Sequence, residues 1–246
     1  MNIIDNEFTD VTTPSGPMRT YLFRPKTEGI FPGVVLFTEI FQVTHQMRRA
    51  ASMIAGHGFV VAVPEIFHDH LPGGKVLPYT DEGTKQGRAV KTGKALAAFD
   101  ADAQAVSEML ANYSRCTGKI GMMGFCIGGH LAVRAATLNQ VGACAAFYPS
   151  GLHCGALGQG DSADTLERFK DLQGESVFFL GTKDDLIPAE GRARVLKSLN
   201  ASKVNFRWLE LPADHAFMRD AGPTYDAELS LQCYQETVNL FRRNLL

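Results

Sequence analysis

The chain alternates between short, unbroken apolar runs and stretches in which apolar residues recur every three or four positions. The runs are "GVVLF" at 33–37, "FVVAV" at 59–63, "IGMMGF" at 120–125, "ACAAFY" at 143–148 and "VFFLG" at 177–181. Runs of this length without polar alternation read as strands buried on both faces, as in a parallel sheet covered by helices. "MRTYLFRP" at 18–25 predicts an earlier strand, and the more mixed "NFRWLEL" at 205–211 a strand nearer an edge. Between them, Thr44 is placed to cap a helix with Met47, Ala50, Ala51, Ile54 and Ala55 on one face, ending at Gly56 or Gly58. Residues 88–113 predict one long helix with a weak point at Gly93. Another helix is expected from just after Cys126 to about Leu138. Pro188 opens a helix reaching Leu199, and a last helix carries Leu231, Tyr234, Val238 and Phe241 on one face.

Strands alternating with helices imply right-handed crossovers and an α/β, doubly wound, mostly parallel sheet with helices on both faces. No repeat or linker divides the 246 residues, so one domain is expected over 1–246. The stretches 68–83 and 151–164 read as loops, and loops at the carboxyl ends of parallel strands are where such folds place their sites.

Composition narrows the function by exclusion. A formal net charge of -2 offers no electrostatic footprint for nucleic acid. No apolar run approaches a membrane span, and the acidic start "MNIIDNEFTD" does not resemble a signal peptide. Five scattered cysteines argue against a disulfide framework and for a reducing, cytoplasmic setting. "HDH" at 68–70 has metal-compatible spacing but no recognisable third ligand, so a polar loop is expected there. No phosphate-binding glycine pattern is present, and neither a cofactor nor a metal is expected.

The chemistry concentrates in "KIGMMGFCIGGH". It predicts a strand, a sharp turn and a helix start, with Cys126 at the turn and Gly124 and Gly128 two residues either side. A nucleophile elbow needs small residues there, because strand and helix pass too closely for side chains. A helix N-terminus favours thiolate, and the amide of Ile127 is placed to hold an oxyanion. The alternative is a buried, inert cysteine. Chain order favours the first reading. Asp184 follows the strand at 177–181, with Asp185 as its local competitor, and His215 follows the strand at 205–211. Nucleophile, acid and histidine in that order, each after a strand, make a triad in which His215 shares the thiol proton and Asp184 orients the imidazole. The strand at 33–37 runs into "TEIFQ", making Ile40 N–H the second oxyanion donor. Glu39 is either an ion-paired loop residue or an acceptor for the thiol.

These segments together resemble the dienelactone hydrolase family of the α/β-hydrolase fold, over nearly the whole chain. The resemblance rests on "GFCIGG", "EIF", "GTKDDLIP" and "HAFMR" in that family's patterns. It implies Cys126 as nucleophile, His215 as base, Asp184 as its orienter, and Glu39 as the residue that meets the resting thiol and is displaced by substrate. It also implies that Arg219 binds a substrate carboxylate, with Arg88 near the position of a second arginine. The expected activity is carboxylic ester hydrolysis of an enol lactone or similarly activated ester, through a thioester acyl-enzyme. A general carboxylesterase or thioesterase on the same triad, or a non-catalytic binding or redox-sensing protein of this fold, are the alternatives. The expected partner is a small ester or lactone, carboxylated if Arg219 acts as implied, with the protein a monomer or small homo-oligomer. Three departures bear on the substrate: Gln42 where glycine is frequent, Glu65 where aspartate is usual, and a long Gly-rich stretch at 151–164.

Overall fold

A computed structural model describes residues 2–137 and 141–246. Its centre is an eight-stranded sheet in the order β1-β2-β4-β3-β5-β6-β7-β8. The strands are β1 Ile3–Thr13, β2 Gly16–Pro25, β3 Phe31–Phe37, β4 Val60–Pro64, β5 Cys116–Phe125, β6 Val141–Phe147, β7 Glu175–Gly181 and β8 Phe206–Leu211. Pairing is antiparallel for β1 with β2 and β2 with β4, and parallel from β4 through β8. The expected apolar runs form β3 to β7, and helices cover the sheet, so the side chains of those runs are almost wholly buried, whereas β8 at the edge, as its mixed sequence predicts, stays largely half-buried or exposed.

β1 lies outside the sequence expectation. Its residues "IIDNEFTDVTT" alternate charged and apolar positions, and most remain exposed or half-buried because the strand forms the sheet edge. It is held by the register Phe8↔Tyr21 and Val11↔Met18 against β2.

Helix α1, His45–Gly56, has the expected cap and buried face: Thr44 accepts from Met47 N–H, and Met47, Ala50, Ala51, Ile54 and Ala55 are buried. The long helix expected over 88–113 is instead two helices, α2 Asp81–Gly93 and α3 Leu96–Ala111, so the stretch to 83 is not all loop. Thr80 caps α2, accepting from Gly83 N–H. The break is made by Lys94, whose side chain is wholly buried. Its ammonium donates to Asp102 on α3 at 2.5 Å and to Asp69 at 3.0 Å, while His68 lies 3.1 Å from Asp102. A buried ammonium must find partners, and turning Lys94 inward costs the helical geometry of that residue, which is extended at ψ 135. "HDH" therefore contributes to an ion network, and no cluster that could hold a metal occurs among the described residues.

Helix α4, Ile127–Ala135, starts where expected; its expected end at Leu138 lies outside the described residues. α5, Ala189–Ser202, begins after Pro188, and α6, Ala227–Leu245, is capped by Asp226. Leu231 does not belong to the buried face of α6: it is 68% exposed, and Cys233, Val238, Leu240, Phe241 and Leu245 face the sheet instead. No helix among the described residues is long and apolar enough to cross a membrane.

Candidate active site

The sharp strand–helix turn expected at Cys126 is visible in the backbone. Cys126 has φ 58 and ψ −123, outside the comfortable region for a side-chain-bearing residue, and stands at the cap position of α4. The strain is held from both sides. Cys126 N–H donates to Phe147 O at 3.1 Å, and Ser150 N–H donates to Cys126 O at 3.1 Å. The flanking glycines are sterically required. A Cβ on Gly124 would lie 1.9 Å from Gly128 O, and one on Gly128 would lie 2.2 Å from Phe37 O. The result is a thiol that is 8% exposed yet lines the main cavity, at the N-terminus of a helix.

Asp184 and His215 converge on the same end of the sheet from the turns after β7 and β8. Asp184 is buried, whereas Asp185 is exposed. Asp184 Oδ1 accepts from Leu186 N–H at 2.8 Å and Oδ2 accepts from His215 Nδ1 at 2.7 Å. Arg192 braces that turn by donating to Ile187 O at 2.9 Å. The other ring nitrogen of His215 is buried without a well-formed hydrogen bond, and the Cys126 sulfur is close enough to couple with its charge. Burial alone would push the imidazole pKa down. The charges of Cys126 and Asp184 outweigh that and raise it to about 10.

Glu39 is fully buried at the end of β3. Its Oε2 accepts from Arg219 Nε at 2.9 Å, while Oε1 has no hydrogen-bond partner. Among the described residues Glu39 is thus hydrogen-bonded to Arg219 and not to the thiol it was expected to meet. The Arg219 guanidinium also lies 5.1 Å from the Phe41 ring and 4.8 Å from the Tyr79 ring. Gln42, where the resembling family favours glycine, has φ 68 and a buried, unpartnered amide, so a strained turn carries the chain past Ile40. Glu65 is a structural carboxylate: Gly74 N–H and Tyr21 O–H donate to it at 2.8 and 3.1 Å.

One cavity of about 430 Å³ gathers these groups. Cys126, His215, Ile40, Ile127, Arg219 and Arg88 all line it. Ile127 begins α4, where the first amides lack intrahelical partners. Arg88 reaches the cavity from α2, which lies hard against the loop that carries Ile40. A Cβ on Gly87 would be 2.7 Å from Ile40 O.

Sequence reasoning missed Tyr148. It leaves β6 with φ 36, its ring is 5.0 Å from the His215 ring, and its buried hydroxyl is unpartnered. Burial and, next, the Glu39 carboxylate push its pKa well above the usual phenol value. Its position at the carboxyl end of a parallel strand was the available signal. Lys91, Thr84 and Leu186 also line the cavity without having been singled out.

A sequence model of the dienelactone hydrolase family matches residues 18–245. The chain belongs to that family. A curated relative from Saccharomyces cerevisiae, described as a putative carboxymethylenebutenolidase, is 36% identical over 99% of this chain and 93% of its own length. A carboxymethylenebutenolidase from Pseudomonas sp. strain P51 is 26% identical over 86% of this chain and 84% of its own. Among solved structures, a putative dienelactone hydrolase from Klebsiella pneumoniae superposes with a TM-score of 0.83 at 24% identity, covering 99% of this chain and 100% of that one. The fold of this family member is the α/β-hydrolase fold, and the protein is a hydrolase acting on esters.

Proposed function

We propose that this dienelactone hydrolase family member cleaves an enol lactone or a similarly activated, carboxylated ester through a Cys126–His215–Asp184 triad. The observation that carries the reading is His215, which hydrogen-bonds Asp184 at 2.7 Å on one side and couples with the Cys126 sulfur on the other. An imidazole with a pKa raised to about 10 holds its proton at neutral pH and pairs with a thiolate. The thiolate attacks the carbonyl carbon, and the amides of Ile127 and Ile40 hold the oxyanion. Collapse breaks the acyl C–O bond and releases the enolate, which takes the His215 proton. Neutral His215 then takes a proton from water, whose oxygen attacks the thioester and frees Cys126. A thiolate expels an enolate readily, whereas an amine leaves less readily than the thiolate itself, so esters are favoured over amides.

Glu39 and Arg219 supply the regulation in this reading. A substrate carboxylate competes with Glu39 for the Arg219 guanidinium, so binding of the anionic ester frees the Glu39 carboxylate from its ion pair. A general carboxylesterase or thioesterase would use the same triad, and the arginines on the cavity wall favour the anionic lactone. The five free cysteines accord with a reducing, cytoplasmic setting.

The test is a panel of a lactone, an aryl ester and a thioester, with mass spectrometry of the quenched enzyme. The wild type should accumulate an acyl adduct on Cys126, and Cys126→Ala should show neither adduct nor turnover while melting normally. Undiminished turnover by Cys126→Ala, or an adduct on another residue, refutes the triad.

A further inference from the structure

The cavity wall contributed by α2 carries more positive charge than one carboxylate needs. Thr84, Arg88, Lys91 and Thr92 recur on one face of the helix and all line the cavity. Opposite them Arg219 is already engaged by Glu39. Arg88 forms no ion pair among the described residues, and no carboxylate lines the cavity. The Lys91 side chain is only 17% exposed, and among the described residues its one ion-pair partner is Asp161 at 3.7 Å, whose side chain is 49% exposed. An ion pair that long and that open to water is weak, so another anion can exchange into it.

Asp161 belongs to the Gly-rich stretch that departs from the family pattern. It has φ 42 and ends a short turn, Gln159–Asp161. The stretch is anchored without it. Gln159 N–H donates to Lys94 O at 2.9 Å, Gln159 Nε2 donates to Gly93 O at 2.6 Å, and Asp164 accepts from Arg134 at 2.7 Å. Asp161 is therefore a carboxylate on a fixed support that its own ion pair does not build, held against a lysine at the cavity edge.

We propose that Lys91, with Arg88 beside it, is a specificity-determining residue that binds a second anionic group of the substrate, and that Asp161 occupies Lys91 until that group arrives. The inference rests on the ester-hydrolase reading of this cavity and narrows it to substrates with two separated anionic groups. One meets Arg219 and the other meets α2.

The experiment reads binding without turnover. On a Cys126→Ala background, calorimetry compares the monomethyl ester of glutaric acid, with one carboxylate, and a monomethyl ester of tricarballylic acid, with two. The second should bind roughly tenfold more tightly than the first. Lys91→Met should bring that ratio to within about twofold, and Asp161→Asn should raise it by roughly two- to fivefold. A purely structural Lys91–Asp161 pair predicts that both substitutions weaken binding alike. That result, or a ratio indifferent to Lys91→Met, overturns the proposal. Hydrolysis of p-nitrophenyl acetate by the protein with Cys126 intact is measured in parallel. Its absence would strike the triad reading, while the carboxylate ratio would still decide the role of Lys91.

Discussion

Replacing Asp184 by Asn changes one atom of a buried, hydrogen-bonded group and isolates its charge. In the native turn, Oδ1 accepts from Leu186 N–H at 2.8 Å and Oδ2 accepts from His215 Nδ1 at 2.7 Å. Asparagine keeps the first bond with its carbonyl oxygen. Its amide then faces Nδ1 as a donor, so the imidazole must accept there and carry its proton on the nitrogen beside Cys126. The imidazolium also loses a buried counter-charge that helps hold its pKa at about 10. A reversed tautomer in a comparable triad lowers the rate by about 10³–10⁴, or roughly 4–5.5 kcal/mol of barrier. The assay is stopped-flow acylation by p-nitrophenyl acetate at pH 7, with thermal melting as the control for folding. The rate should also recover as pH rises past about 8.5, where an unassisted thiol ionises by itself. Acylation within about threefold of wild type at pH 7, in a normally folded variant, would refute this account of Asp184.

The elbow and the imidazole give two further expectations. Gly128→Ala brings a methyl within 2.2 Å of Phe37 O and 2.5 Å of Thr38 O, both unyielding backbone atoms. Denaturant unfolding should show a loss of about 1–3 kcal/mol or more, with slower acylation as Ile40 shifts; an unchanged midpoint and rate would contradict the packing argument. The raised pKa of His215 makes its contribution to stability complete below the ordinary value of 6.5 and lost as pH climbs through about 10. The stability difference between wild type and His215→Gln should accordingly shrink between those values, and growth over the same range would reverse the assigned sign.

The parallel core was legible because "GVVLF" and "VFFLG" can be buried on both faces only in a covered sheet. The convergence of Cys126, Asp184 and His215 was legible because each follows an expected strand. β1 was not, since an edge strand that keeps its charges in water carries no apolar run. The break at Lys94 was hidden for a different reason. Lysine is a good helix former, and only its distant partners Asp69 and Asp102 give it cause to turn inward. Leu231 satisfied the helical spacing but lies on the outer flank of α6, showing that periodicity finds a face without fixing its limits. Tyr148 and Lys91 escaped notice because neither sits in a motif; only the folded chain brings them to the cavity region.

The glycine at position 87 has a consequence beyond its close approach to Ile40. α2 is delimited on one side by the Thr80 cap and on the other by the turn at Lys94, and it shares no residue with the segments that bear Cys126, Asp184 and His215. The share of recognition proposed for α2 is therefore written apart from the proposed triad, whereas Arg219 stays beside His215. Exchange of residues 81–93 between relatives, keeping the glycine that seats the helix, offers a route to new preferences on an unaltered reaction machinery. The same separation gives natural drift a place to explore diet without risking the catalyst.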